Sequence, residues 1–194
     1  MCIRDRSTLP EQELLGGLAE VIKYGIIRDR EFFDFLAVNR KAVLSLEDAA
    51  LLPLLARCCE IKAQVVEEDE CEGGLRRILN FGHTIGHAVE AASNFTLIHG
   101  LAIAIGMCTA TDLAVLCGQC SPENSQAVRR LLEDFGLPVN IPPGLDRQAI
   151  RRFLLADKKT VGGRVFFVLP REIGRVIITD KVASVDIDEV LGNT

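Results

Sequence analysis

The chain has 194 residues, enough to bury one sizeable core, and its 48% apolar and 25% charged residues exclude a disordered polymer. A formal charge of −5 excludes a global basic field of the kind that binds nucleic acid, so an anionic ligand would have to be met by local cations. Seven cysteines, an odd number with Cys58 and Cys59 adjacent, argue for free thiols in a reducing cytoplasm.

Residues 1–7 match no usable pattern and read as a non-native or disordered leader, with no apolar stretch of the signal-peptide kind. From Glu11 to Ile27 apolar residues recur at helical spacing (Leu14, Leu15, Leu18, Val21, Ile22), with Glu20 and Lys23 among them. Gly16, Gly17 and Gly25 weaken that helix by propensity, which suggests close packing or approach of a ligand. A shorter helix is expected at 30–38. Ser45-Leu-Glu-Asp48 resembles a capping box and predicts a helix to about Asp69, with Lys62 on its second half. Gly73-Gly74 breaks the chain. Arg76, Asn80, His83 and His87 then fall at the spacing of one helical face.

Asn94 to Ile98 is a loop, and His99-Gly100 opens an apolar helix over 101–117. With Gly106, Thr109, Thr111 and Asp112 inside it, that run reads as a buried helix and not as a membrane span. Cys117-x-x-Cys120 lacks a second pair or a thioredoxin-like context and reads as a fraying helix end. Ser121-Pro122 starts a helix that ends at Gly136, and Asp146 caps another that runs to about Ala156. Residues 164–169 and 175–179 are β-rich, separated by Pro-Arg-Glu-Ile-Gly, a hairpin pattern; a helix at about 185–191 closes the chain. The expected fold is mainly α: a multihelical domain over 8–194 with one small β-hairpin near the C-terminus. No glycine-rich turn follows a strand, so nothing in the chain has the form that holds a dinucleotide pyrophosphate.

All three histidines, His83, His87 and His99, lie in one 25-residue stretch. Two of them form H-x-x-x-H, which on a helix stacks two imidazoles one turn apart and suits a divalent metal. A catalytic metal wants about three protein ligands and one open position. The candidates are the three histidines and one acid. Glu20 is the best acid, because a carboxylate among apolar residues needs a partner, although Lys23 one turn on could be that partner. The pattern leaves two-histidine-plus-glutamate and three-histidine coordination both open.

Several segments together resemble the C-terminal domain of 3-dehydroquinate synthase. These are Gly17-Leu-Ala-Glu-Val-Ile-Lys-Tyr-Gly25, Glu60-Ile-Lys62, Asp69-Glu70…Gly74-Leu-Arg76, Leu79-Asn-Phe-Gly-His-Thr-Ile-Gly-His87, His99-Gly100, Leu137-Pro138 and Asp157-Lys-Lys159. In that family the helical domain follows an NAD-binding domain, which has no counterpart in these residues. The enzyme converts 3-deoxy-D-arabino-heptulosonate 7-phosphate to 3-dehydroquinate and phosphate in the shikimate route to chorismate and the aromatic amino acids. The resemblance implies Glu20, His83 and His99 as ligands of zinc or cobalt. It implies His87, Lys23 and Asn80 in catalysis, and Arg76, Lys62 and Lys158 or Lys159 on the substrate's carboxylate and phosphate. Thr8 would touch NAD. It further implies oxidation of a metal-bound hydroxyl, loss of phosphate, return of the hydride and an aldol closure, in a cytoplasmic homodimeric enzyme with no nucleic-acid or membrane partner. Leu101 departs from the pattern, since many relatives carry Glu there, close to the metal. The expected function is that of a fragment inactive alone. The alternatives are another sugar-phosphate cyclase of the superfamily, a two-domain polyol dehydrogenase, or a non-catalytic metal-binding module.

Overall fold

The structure, a computed structural model, describes residues 8–70, 74–156 and 165–192. The leader, Lys158 and Lys159 lie outside them. The described chain is mainly helical, in the order α1 (Glu11–Arg28), α2 (Arg30–Leu44), α3 (Asp48–Glu68), a 3-10 helix (Leu75–Asn80), α4 (His83–Ala92), α5 (His99–Leu116), α6 (Pro122–Asp134), α7 (Arg147–Ala156), β1 (Phe167–Glu172), β2 (Arg175–Thr179) and α8 (Ser184–Leu191).

The expected element order holds, with local differences. The stripe of α2 continues past residue 38 because Val43 is fully buried one further turn pair beyond Leu36, so the helix runs to Leu44. Ser45 does not cap α3. It closes α2 instead, its N–H bonded to the Lys41 carbonyl, and α3 starts after Glu47 without a side-chain cap. Asp29 ends α1 and starts α2 in one residue, its carboxylate accepting from the Phe32 N–H at 2.9 Å. Ser121 caps α6 as its sequence suggests, with Pro122 at the first position. The two strands pair antiparallel, but the turn is shorter than expected. β1 continues through Pro170 to Glu172, and Gly174, with φ of +93°, makes the reversal. Pro170 is tolerated because both strands of a two-stranded sheet are edges, and the register slips just after it. The Gly174 N–H then bonds the Ile26 carbonyl at 2.9 Å, fixing the hairpin to the end of α1.

Helix α5 is the hub. It is apolar all round, and α1, α4, α6, α8 and β1 all pack on it. By length and composition alone α5 is long and apolar enough to cross a bilayer, but 72% of it is buried inside this domain, in line with its reading as a buried helix. Glycines set how closely its neighbours approach. A Cβ at Gly100 would lie 2.2 Å from Gly16 Cα on α1, and one at Gly106 would lie 2.0 Å from the Gly82 carbonyl oxygen ahead of α4. Backbones in van der Waals contact leave no room for a methyl group.

The five described cysteines are free thiols. Burial pushes Cys58 up to about 12, with a smaller push from Cys59, and burial pushes Cys108 up to about 12 as well. Thiolate is the reactive form, so both stay protonated and inert near pH 8. Among the described cysteines, alkylation at pH 8 followed by peptide mapping is expected to label exposed Cys59 first and Cys108 only on unfolding. Rapid labelling of Cys108 in the folded chain would contradict the packing of α5 on α6.

Candidate metal centre

The site is built where α1, α4 and α5 meet, and each key side chain sits beside one of the close glycine contacts. Glu20 lies one turn beyond Gly16. His83 and His87 follow Gly82 and Gly86, and His99 precedes Gly100. The contacts that bring the backbones together thereby bring the ligand-type side chains together.

The single helical face expected for Arg76, Asn80, His83 and His87 is not continuous. Residues 75–80 form a separate 3-10 helix, and Gly82, with φ of +77°, turns the chain before α4 begins at His83. The reason is steric: Gly82 packs against the Met107 side chain and backbone of α5, where its conformation is open only to glycine. His83 and His87 do share a face of α4, their ring centroids 5.3 Å apart. His99 reaches them from α5, with centroids 5.5 Å from each. One ligand atom from each of the three imidazoles lies within 4.8 Å of the others.

Glu20 joins the cluster from α1. Its Oε2 accepts from the Lys23 ammonium at 2.5 Å, and its Oε1 lies 3.4 Å from His83 Nε2. The pairing with Lys23 and the approach to the histidines are thus both present. Burial pushes the Glu20 carboxyl up, but Lys23, then His83 and His99, outweigh it and hold the group below its ordinary value. Lys23 is buried, only 5% of its side chain exposed.

The donor chemistry fits a cation. His83 Nδ1 lies 3.0 Å from the Phe81 carbonyl, which can only accept, so Nδ1 carries the proton. That leaves a lone pair on Nε2, and the atom facing it is Glu20 Oε1. This oxygen is buried with no hydrogen-bond donor among the described residues. Two acceptors opposed at 3.4 Å are stabilised by a cation between them, either a proton on Nε2, which makes the ion pair that lowers the Glu20 carboxyl, or a metal ion. Imidazole nitrogen with carboxylate oxygen is a donor set for zinc or its first-row neighbours.

The remaining predicted residues are placed as follows. Arg76 is half-buried in the 3-10 helix. Its N–H and that of Gly74 both donate to Asp69 Oδ2, and its guanidinium donates to the Glu70 carbonyl. Asn80 is half-buried at the end of the same helix, Lys62 is exposed on α3, and Thr8 is exposed just before α1. No hydrogen bond or ion pair among the described residues joins Lys62 to the histidines. Sequence reasoning missed Glu90, whose Oε2 lies 3.3 Å from His99 Nδ1. The signal was there, since positions 83, 87 and 90 fall on one helical face. Leu101 brings no carboxylate and packs partly buried against the core; the acid beside His99 comes from α4 instead.

Fold and site together define a multihelical domain in which three imidazoles lie close enough to hold a metal ion, with the Glu20 carboxylate beside His83. Residues 17–160 match the family described as 3-dehydroquinate synthase C-terminal. The 3-dehydroquinate synthase of Desulforamulus reducens is 49% identical over 185 residues, and that of Thermodesulfovibrio yellowstonii 44% identical over 185 residues. In both cases the match covers 95% of this chain and 52% of the relative, so the chain spans about half the length of the curated relatives it matches. The chain belongs to the 3-dehydroquinate synthase family and corresponds to its C-terminal part. A solved 2-epi-5-epi-valiolone synthase from Streptomyces hygroscopicus, with NAD+ and Zn2+ bound, superposes with a TM-score of 0.86 at 28% identity, covering 96% of this chain and 52% of that one. A 2-deoxy-scyllo-inosose synthase with carbaglucose-6-phosphate, NAD+ and Co2+ shares the fold at a TM-score of 0.75 and 23% identity, covering 95% of this chain and 53% of its own.

Proposed function

We propose that residues 8–194 form the metal- and substrate-binding half of a 3-dehydroquinate synthase, acting on 3-deoxy-D-arabino-heptulosonate 7-phosphate together with an N-terminal NAD-binding domain. The observation that supports this reading is the gathering of His83, His87 and His99, one ligand atom of each within 4.8 Å of the others, with Glu20 Oε1 3.4 Å from His83, in a chain 44–49% identical to enzymes of that name. Glu20, His83 and His99 are assigned as the ligands of zinc or cobalt. A bound metal would supply Lewis-acid polarisation of a substrate oxygen, and NAD would supply the hydride chemistry.

The chain's own residues bind, orient and move protons. His83 and His99 each have Nδ1 beside an oxygen, from Phe81 and Glu90, which turns Nε2 toward the ligand position. His87, its ring about equally far from the other two, is assigned the proton transfers on the substrate side, because an imidazole can both give and take a proton. Lys23 holds Glu20 in place and is assigned the substrate hydroxyls beside the metal. Arg76, fixed at its backbone by Asp69, offers a two-pronged donor to the substrate carboxylate, with Lys62 as the second cation. Asn80 and a lysine of the 158–159 pair are assigned to phosphate, and Thr8 to NAD.

The mutual approach of all three imidazoles favours one alternative, in which His87 is a ligand in place of Glu20. Metal retention separates the two: Glu20→Ala loses zinc under the first reading, His87→Ala under the second.

The purified chain, given substrate, NAD and zinc or cobalt, is expected to show no turnover. Orientation of reacting groups supplies roughly 7–11 kcal/mol of a barrier, and this half has no dinucleotide cradle among its described residues. Turnover should appear on adding the separately made N-terminal half of a relative. Turnover by the chain alone, or none from the pair, would overturn the proposal.

A further inference from the structure

We infer that Glu90 is a positioning residue of the metal centre, fixing the tautomer and orientation of His99. The inference rests on the reading of His99 as a metal ligand. His99 is the least constrained of the three histidines: it opens α5, its side chain is 46% exposed, and no side chain caps that helix. Gly100 fixes where its backbone lies against α1 but not where its ring points. On the ring itself, the Glu90 carboxylate lies 3.3 Å from Nδ1.

Glu90 is well placed to do this. Its side chain is only 18% exposed, and it sits in the last turn of α4 on the face that carries His83 and His87. Ser93, which follows in the same turn, bonds back to the Glu90 carbonyl through its hydroxyl at 2.7 Å, and the Phe95 N–H bonds that carbonyl at 3.0 Å, so the backbone beneath the carboxylate is pinned. An ionised carboxylate only accepts hydrogen bonds, so the proton of a neutral His99 is placed on Nδ1 and its lone pair on Nε2. The carboxylate also makes the imidazole a stronger electron donor. His83 is held differently, by the Phe81 backbone carbonyl, which no side-chain substitution removes. Of the two orienting contacts, only the one to His99 can therefore be tested by mutation.

The test uses the 194-residue chain, with zinc affinity read by competition against a chromogenic chelator and cobalt by its visible absorption. Glu90→Ala is expected to weaken zinc about 10–100-fold and to alter the cobalt bands. Glu90→Gln keeps an acceptor oxygen without the charge and should fall between wild type and Glu90→Ala. Melting in excess chelator, where no metal contributes, should be nearly the same for wild type and Glu90→Gln. Zinc affinity within twofold of wild type in both variants, with an unchanged cobalt spectrum, overturns the inference. So does a loss in Glu90→Gln matched by an equal loss of melting temperature in chelator, since that marks a structural role. His99→Ala separates this failure from failure of the underlying reading: if His99→Ala itself binds zinc like wild type, the ligand assignment is what falls.

Discussion

Gly106→Ala is expected to unfold the chain's centre and its metal site together. The new methyl would lie 2.0 Å from the Gly82 carbonyl oxygen and 2.6 Å from the Gly86 N–H nitrogen, both backbone atoms. Those two atoms form a hydrogen bond of 2.8 Å that begins α4. Gly82 cannot easily yield, because its φ of +77° already depends on the absence of a side chain. Overpacking a tight core costs typically 1–3 kcal/mol and sometimes more, and a clash with backbone belongs at the upper end. A loss of about 3 kcal/mol would lower the melting temperature by roughly 6–12 °C for a chain of this size. Because His83 and His87 flank the displaced bond, zinc affinity should fall in the same variant. Gly144→Ala is the control, since a Cβ there meets nothing within 4 Å and should leave both readings unchanged. A Gly106→Ala chain that melts and binds zinc like wild type would refute the close approach of α4 to α5.

The second large effect is at Glu20. Its Oε2 neutralises Lys23, an ammonium with 5% of its side chain exposed. Removing one partner of a buried pair strands the other charge, which costs about 3–5 kcal/mol. Glu20 is itself one-third exposed, so the lower end applies, about 3 kcal/mol. Glu20→Ala measured in chelator should show this loss, and adding Lys23→Met should restore most of it by removing the stranded charge. Zinc binding should fail in both variants, because neither restores Oε1. If the double variant is no more stable than the single one, Lys23 is not held by Glu20. If zinc survives in both, Glu20 is not a ligand.

Much of the fold was legible because its signals are local. The apolar spacing of α1, the Ser121-Pro122 start of α6 and the β-rich runs at the C-terminus each need only their own residues. What failed needed neighbours. Ser45 has the side chain of a cap, but its backbone closes α2, and α3 starts only after Glu47. The chain between Asn80 and His83 keeps helical spacing in sequence, yet packing against Met107 forces Gly82 out of the helix. Part of the site was legible as residue types: the three histidines lie together and Glu20 lies beside His83. The orienting partners were less so: Glu90 shares the helical face of His83 and His87 in sequence, but its pairing with His99 needs α5 folded back along α4. Nor could sequence show that Glu20 divides its two oxygens between Lys23 and His83.

The α4–α5 pair has a consequence for the order of folding. Its three histidines lie within seventeen residues, on two helices joined by the short loop 93–98. Closing so short a loop costs little chain entropy, and contacts of low sequence separation form early. Glu20 lies more than sixty residues upstream and arrives only when α1 docks through Gly16 on Gly100. The imidazoles therefore assemble first and the carboxylate last. Under the proposed ligand set, metal present during refolding would meet three nitrogens before it meets an oxygen, and the docking of α1 would bring in the carboxylate.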